Sequence, residues 1–154
     1  METKFRVVLG CDHAAVDMKN EVIEHLSSKG YEVSDVGTYT NDSCDYPLIA
    51  TDLCEKILDG SHKLGILICG TGIGMSIAAN KHRGIRAACC SEAYSAELTR
   101  RHNDANVLCF GARVIDTDLA IKLVDTFLTT EYEGGRHQRR VDLLKEIEEK
   151  EANK

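Results

Sequence analysis

The segment Gly70-Thr71-Gly72-Ile73-Gly74 is suited to chemistry because three glycines alternate directly after an apolar stretch. Such a turn lets successive backbone N–H groups point at one anion, and the N-terminus of a following helix adds to the attraction. It is not a Walker A loop, because no GxxxxGK[ST] occurs in the chain, and as a dinucleotide fingerprint it fails at Met75. One tight turn does not need three glycines. The segment therefore predicts an anion-binding loop.

Three reactive side chains lie at the ends of apolar stretches. Cys69 immediately precedes the glycine loop, where a thiol near a helix N-terminus can act as a base or a nucleophile. Asp12 and His13 follow the first apolar stretch and add a carboxylate and an imidazole. Asp12 can equally cap the next helix, and Cys69 can be an inert core residue. Both interpretations stay open at this level.

Further polar clusters occupy the second half of the chain. Arg101-His102-Asn103-Asp104 ends a helical pattern, where a cation or an Asn can simply cap the helix. Arg136, His137, Arg139 and Arg140 follow a glycine pair; arginine forks suit phosphate, although a charge run is usually a solvated face. The six histidines show no ligand spacing such as HExxH, so the sequence predicts no metal site.

Composition restricts the class of protein. The chain has 154 residues, 43% hydrophobic and 29% charged, which predicts one folded domain over residues 1–154. Its net charge of −6 disfavours nucleic-acid binding. No stretch approaches the ~20 apolar residues that span a bilayer, and no targeting segment begins the sequence. Seven cysteines without a CxxC pair predict a reducing, cytoplasmic location and no membrane partner.

Apolar stretches that alternate with helical patterns predict the elements that position these groups. The predicted strands are Phe5–Leu9, Tyr31–Val36, Leu64–Ile68, Ile85–Cys90 and Val107–Phe110. The predicted helices are a first helix from about Val16 to a cap at Gly30, then Pro47–Leu58, Ile73–Lys81, Glu92–Arg101 and Thr117–Leu128.

This alternation predicts an α/β fold, a three-layer αβα sandwich around a five-stranded parallel sheet of the Rossmann or flavodoxin-like type. We expect strand order 2-1-3-4-5, with the switch point between strands one and three and with Leu64–Ile68 and Ile85–Cys90 as central strands. Residues 131–154 form an arm and a charged helix. The helix carries one narrow apolar stripe (Val141, Leu144, Ile147), which predicts docking on a neighbouring subunit.

In these features the sequence resembles the B-type ribose-5-phosphate isomerases, a family that also includes allose-6-phosphate and galactose-6-phosphate isomerases. The resemblance covers nearly the whole chain in the right order. It rests on Gly10-Cys11-Asp12-His13, Asp45-Tyr46-Pro47, Ile68 to Gly74, Ala78-Ala79-Asn80-Lys81, Gly84-Ile85-Arg86-Ala87, His102-Asn103-Asp104 and Tyr132 to His137.

The resemblance implies an aldose–ketose isomerase that acts on a sugar phosphate without metal or cofactor, as a homodimer or tetramer. It implies that Cys69 is the base that moves a proton between C1 and C2, and that His102 opens the furanose ring. Thr71 and Asp12 assist nearby. The implied enediolate amides are those of Gly70, Thr71, Gly72, Ile73 and Gly74, and the implied phosphate and hydroxyl ligands are His13, Asn103, Arg113, Arg136 and Arg140. Some relatives carry an acidic base where this chain has Met75.

The favoured reaction is the interconversion of ribose 5-phosphate and ribulose 5-phosphate. A hexose-6-phosphate isomerase, a sugar-phosphate sensor without turnover and a small dinucleotide-dependent oxidoreductase are the alternatives. Topology adds one expectation: a helix that returns antiparallel to the strands places His102 at the edge of the sheet opposite Cys69. The active site is therefore predicted to be shared between two chains.

Overall fold

The computed structural model describes residues 4–154, so the first three residues of the predicted domain lie outside the described part of the chain. The strands are β1 (Arg6–Cys11), β2 (Glu32–Asp35), β3 (Leu64–Cys69), β4 (Ala87–Cys89) and β5 (Val107–Gly111). The helices are α1 (Val16–Ser28), α2 (Tyr46–Leu58), α3 (Ile73–Asn80), α4 (Ala93–Asn103), α5 (Thr117–Thr129) and α6 (Arg136–Ala152). The predicted elements are thus confirmed, with boundaries shifted by a few residues.

The five strands form one parallel sheet in the order β2-β1-β3-β5-β4. The predicted parallel α/β sheet is confirmed, and β1 and β3 are neighbours at the switch point as expected. The predicted order 2-1-3-4-5 is wrong, and so is the central position predicted for Ile85–Cys90. β4 has only three residues, none of them buried, whereas every residue of β5 is buried. The larger side chains of β5 fill the space between the layers better than the alanines of β4, so β5 lies inside and β4 at the edge.

A side chain protects the edge strand. The Asn80 side-chain amide donates to the carbonyl oxygen of Ala87 at 2.9 Å, and its Oδ1 accepts from the Ala87 N–H at 2.8 Å. An unpaired strand edge invites pairing with another chain, and these two bonds occupy it at one residue. The structure gives the Ala78-Ala79-Asn80-Lys81 motif this role at the end of α3.

Two cores lie on opposite faces of the sheet. Val7 and Leu9 of β1 pack with α1, α4 and α5, whereas Val8 between them packs with α2 and α3. This alternation is the period of a strand covered on both faces, and it produces the predicted three layers. No helix within residues 4–154 combines the length and apolar character that crossing a membrane requires.

The C-terminal helix α6 lies largely outside these cores. Of its residues only His137 and Val141 are buried. Leu144 and Ile147, the rest of the predicted stripe, are 45% and 58% exposed. They border a groove that also includes Ile85 and Ala87.

A fully buried lysine fixes the loop after β2 beside the end of β1. The Lys19 ammonium of α1 donates to Asp35 Oδ1 at 2.7 Å and to the carbonyl oxygen of Thr38 at 2.6 Å. Thr38 in turn donates its N–H to the carbonyl oxygen of Cys11 at 2.8 Å. The ion pair therefore holds one wall of the loop that carries Asp12.

We expect Lys19→Met to lower the free energy of unfolding by about 1–3 kcal/mol, because the Thr38 carbonyl loses its donor. Asp35→Ala is expected to be worse, about 3 kcal/mol or more, because it leaves a buried ammonium without its anion. Urea unfolding measures both, with Lys122→Met on the exposed face of α5 as the matched control. Equal stability of Lys19→Met and the control would contradict the assignment.

Candidate active site

The glycine loop after β3 lies against the loop after β5. Ala112 donates its N–H to the carbonyl oxygen of Cys69 at 2.9 Å, and Arg113 donates its N–H to that of Gly70 at 3.0 Å. A Cβ on Gly70 would lie 3.2 Å from Nη1 of Arg113, so the guanidinium covers the start of the loop. This contact depends on β5 being the neighbour of β3, which the predicted strand order did not provide.

The Cys69 sulfur lies at the mouth of the loop. Cys69 is 5% exposed, and its Sγ accepts the N–H of Gly72 at 3.1 Å. Gly72 has φ +84°, and a Cβ there would approach the Phe110 backbone to 2.8 Å. Only glycine combines that conformation with that approach. Its backbone N–H is therefore free to meet the sulfur.

Asp12 and His13 follow β1 at the same edge of the sheet. The Asp12 N–H donates to the carbonyl oxygen of Ile68 at 3.0 Å, which joins this loop to the end of β3. Asp12 Oδ1 accepts the N–H of Ala14 at 2.9 Å, so the carboxylate closes a local turn and does not cap α1. His13 Nδ1 accepts the N–H of Cys44 at 3.4 Å. Both residues therefore lie at the carboxyl edge of the sheet, as the glycine loop does.

Two further residues of the loop are exposed, and a neighbouring tyrosine was missed in the sequence. Thr71 is exposed and its Oγ1 accepts the N–H of Ile73, which is 55% exposed. Tyr46 stands over Gly74, where a Cβ would lie 2.9 Å from the phenol ring and 3.2 Å from the hydroxyl oxygen. Asp45-Tyr46-Pro47 was noted in the sequence but gave Tyr46 no role. Its place at the first turn of α2 was the available signal.

Burial makes five of the other six cysteine thiols poorer bases than a free thiol. The exposed Cys89 donates its thiol to the carbonyl oxygen of Thr71 at 3.7 Å. Burial of its sulfur and the adjacent Cys69 raise the pKa of Cys89, and burial raises that of Cys109 much further. Burial likewise raises the pKa of Cys11 and Cys90 to about 11 and that of Cys54 to about 12. All seven cysteines, which lie within residues 4–154, are free.

The remaining predicted site residues lie at the opposite, amino edge of the sheet. Arg86, just before β4, donates its Nε–H to the carbonyl oxygen of Asn103 at 2.9 Å, so α4 ends beside the start of the strand. His102 stacks on His137 of α6, which places Arg136 and Arg140 of that helix near the same edge. Within one chain, the structure does not bring these four residues to Cys69.

His102 belongs to a compact group at this edge. Its ring is stacked on that of His137, with centroids 4.2 Å apart and an interplanar angle of 15°. Glu133 Oε2 lies 3.4 Å from Nε2 of His137 and 3.9 Å from Nε2 of His102. Desolvation, His102 and Arg136 together lower the pKa of His137. Glu133 was missed in the sequence, although it lies four residues before His137.

Comparison with known proteins identifies the family of this chain. Residues 7–144 match the family described as Ribose/Galactose Isomerase. The chain is 50% identical over 145 residues to ribose-5-phosphate isomerase B of Escherichia coli (strain K12), across 94% of this chain and 97% of that protein. The ribose-5-phosphate isomerase B structure from Clostridium thermocellum has a TM-score of 0.93 at 48% identity, across 94% of this chain and 98% of that one.

A second solved structure, ribose-5-phosphate isomerase B from Mycoplasma genitalium, contains bound ribulose-5-phosphate. It has a TM-score of 0.91 at 40% identity, and the match covers 96% of this chain and 99% of the Mycoplasma genitalium chain. Sequence identity at this level, over almost the full length of both chains, identifies the family as well as the fold. The chain belongs to the ribose/galactose isomerase family.

Proposed function

We propose that this isomerase interconverts D-ribose 5-phosphate and D-ribulose 5-phosphate through a cis-enediolate, without a cofactor. The observation that carries the proposal is the Cys69 sulfur at the mouth of the glycine loop, 3.1 Å from the Gly72 nitrogen. The thiol, the backbone N–H of Gly72 and the Arg113 guanidinium over Gly70 are therefore close to one another. The relative with ribulose-5-phosphate bound supports a pentose phosphate as the substrate.

Proton transfer follows from these groups. The Cys69 thiolate takes the proton from C2 of the open aldose, the C–H electron pair forms the C1=C2 bond, and negative charge moves onto O1. A proton moves from O2 to O1, the O2 electron pair forms the C2=O2 bond, and the C1=C2 pair takes the proton back from the thiol at C1, which completes the ketose. A preorganised donor at the developing oxyanion contributes of order 3 kcal/mol, and a positioned base contributes ~10²–10⁴-fold. We assign the donors to the amides of Gly70–Gly74.

Ring opening precedes this step and needs a second acid–base group. We assign it to His102, which is 34% exposed and so accessible to a sugar, with Thr71 and Asp12 assisting from the glycine-loop side. His102 lies at the amino edge, and a strand of six residues such as β3 spans ~20 Å. Both groups serve one reaction only if a neighbouring chain presents its His102.

A shared site therefore requires at least a homodimer. The exposed Leu144 and Ile147 of α6 support this, because an apolar stripe on a terminal helix is expected to be covered by another surface. A two-fold axis would form two equal sites from two chains. We assign residues 131–154 to this docking arm. Sedimentation velocity distinguishes a dimer from a tetramer of such dimers.

The phosphate is the part of the substrate that does not react, and cations hold it. We assign His13 and Arg113 from one chain and Arg136 and Arg140 from the other to phosphate or sugar hydroxyls, with Asn103 beside them. Arginine forks match the geometry of phosphate oxygens. In an acidic chain such a cluster also attracts the anionic substrate to one place.

The substrate alternatives differ by one carbon of pocket depth. A hexose 6-phosphate places its phosphate farther from C1, so the enzyme is expected to prefer ribose 5-phosphate over allose 6-phosphate and galactose 6-phosphate in kcat/KM. Coupled assays over the three sugars test this directly. Family membership disfavours a sensor without turnover and a dinucleotide-dependent oxidoreductase. The cytoplasmic location stays a prediction.

We expect Cys69→Ala to abolish nearly all isomerisation while the protein stays folded and still binds the sugar phosphate. Cys89→Ala is the matched control, since its thiol lies beside the same loop but its raised pKa keeps it protonated. Steady-state kinetics and circular dichroism measure both variants. More than about a tenth of wild-type kcat in Cys69→Ala would contradict the base assignment.

We expect Arg136→Ala and Arg140→Ala to raise KM more than they lower kcat, and to weaken inhibition by inorganic phosphate. These side chains bind the non-reacting end, so most of their effect is uniform binding. Lys145→Ala is the control, because nine residues place it on the face of α6 opposite Arg136. An unchanged phosphate inhibition constant in both arginine variants would leave the cluster as a solvated charge run.

We expect activity to return when inactive Cys69→Ala and His102→Ala chains are refolded together. A mixed dimer would contain one doubly damaged site and one intact site. Random pairing makes half of the dimers mixed, so recovery should reach about a quarter of wild type. Coupled assays before and after mixing measure the gain.

The matched control pairs Cys69→Ala with Arg113→Ala. Both residues lie at the carboxyl edge, so each site of that mixed dimer carries one damaged residue and no gain is expected. Mass spectrometry of differently tagged chains confirms that subunits exchange. Exchange without recovery in the Cys69→Ala and His102→Ala mixture would contradict the shared site.

A further inference from the structure

We propose that Glu133, His102 and His137 form a binding site for a divalent transition-metal ion of the zinc type, and that an ion bound there inhibits isomerisation by occupying His102. The inhibitory part rests on the proposed role of His102, whereas the binding part does not. Three groups of this kind, two imidazoles and a carboxylate, are a ligand set that zinc accepts. The ion would be an inhibitor and takes no part in the reaction.

The distances suit a single ion. One donor atom from each of the three residues lies within 4.8 Å of the others, and the two measured edges to Glu133 Oε2 are 3.4 and 3.9 Å. Zn–N and Zn–O bonds of ~2.0–2.1 Å around a tetrahedron separate ligand atoms by about 3.3 Å. Small torsions of His102 and Glu133, whose side chains are 34% and 43% exposed, would bring the donor atoms to that spacing.

An unpartnered buried nitrogen independently indicates a missing ligand. His137 is 5% exposed, and its Nε2 is buried without a hydrogen-bond partner, although it faces Glu133. A buried polar atom left unpaired costs about 1–3 kcal/mol. A bond from Nε2 to a metal ion would satisfy it.

A neighbouring cation orients the carboxylate. Arg101 contacts Oε1 of Glu133 at 3.4 Å and Oε1 of Glu97 at 2.9 Å, so the other Glu133 oxygen is turned toward the histidines. Such outer partners commonly fix metal ligands in place. The same arginine, with Arg136 and Arg140 nearby, also repels a divalent ion. We therefore expect micromolar and not nanomolar affinity for zinc.

A zinc ion at this site would stop catalysis because it occupies a lone pair of the His102 imidazole. A His102 nitrogen bonded to zinc cannot exchange a proton with the sugar ring, so turnover stops while the ion is bound. Linear spacing could not predict this site, since His102 and His137 are 35 positions apart in the sequence and meet only through the packing of α6 on α4.

The binding test is calorimetric titration of the wild-type protein with zinc in phosphate-free buffer, with cobalt absorption as a second probe. We expect one ion per chain, and at least tenfold weaker binding in Glu133→Gln, His102→Gln and His137→Gln. Glu133→Gln changes an exposed side chain, so it tests the site even if the variant at the buried His137 fails to fold. His25→Gln is the matched control, because His25 pairs with Asp125 at 2.8 Å outside the triad.

Unchanged affinity in the three triad variants would overturn the site, as would a thiolate-to-cobalt charge-transfer band, which would place the ion on cysteine. Zinc should inhibit the wild-type enzyme at concentrations that match the calorimetric affinity, and Glu133→Gln should need at least tenfold more zinc. Binding at the triad without inhibition would overturn the inhibitory part. Metal-free His102→Gln reports separately on catalysis: full activity there would refute the proposed function of His102 and leave the binding result standing.

Discussion

The close approach of two backbones, Gly111 at the end of β5 and Thr71 in the glycine loop, is the constraint on which the carboxyl edge depends. A Cβ on Gly111 would lie 2.5 Å from the Thr71 backbone, so any other residue would push the two segments apart. Because they touch, β5 lies beside β3 and Arg113 reaches Gly70. The conformation of the loop beside Cys69 is therefore set by contacts between backbones, which a side-chain rotation cannot relieve.

The direction of the sheet is the second constraint. Parallel strands collect the residues that follow them at one edge, and the returning helices collect theirs at the other. Cys69 and Arg113 therefore meet easily, whereas His102 at the end of α4 lies across the sheet from both. An enzyme that uses both sets has to borrow one of them from another chain. The exposed apolar face of α6 is consistent with that need.

Burial distinguishes side chains of the same chemical type from one another. Among the thiols near the loop, Cys109 is completely buried and its pKa is far above the usual value, while the Sγ of Cys69 accepts the backbone N–H of Gly72. Among the histidines at the amino edge, His137 is buried, and its ring stacks on that of the more exposed His102. Position relative to solvent and to backbone donors therefore separates the residues that we propose to react from those that pack.

The sequence by itself determined the class of fold, because apolar stretches alternating with helical patterns leave few arrangements besides a parallel α/β sheet. It also predicted the glycine loop with Cys69 before it and the position of His102 at the opposite edge of the sheet, since both follow from local spacing and from the parallel direction of the strands. It did not determine the order of β4 and β5. That order depends on which strand fills the space between the layers. The larger residues of β5 fill it better than the short, alanine-rich β4, so β5 lies inside the sheet and β4 at its edge. The Tyr46 contact with Gly74 and the meeting of Glu133, His102 and His137 were likewise decided only by tertiary packing, because they join segments that are far apart in the chain or side chains whose directions no sequence pattern fixes.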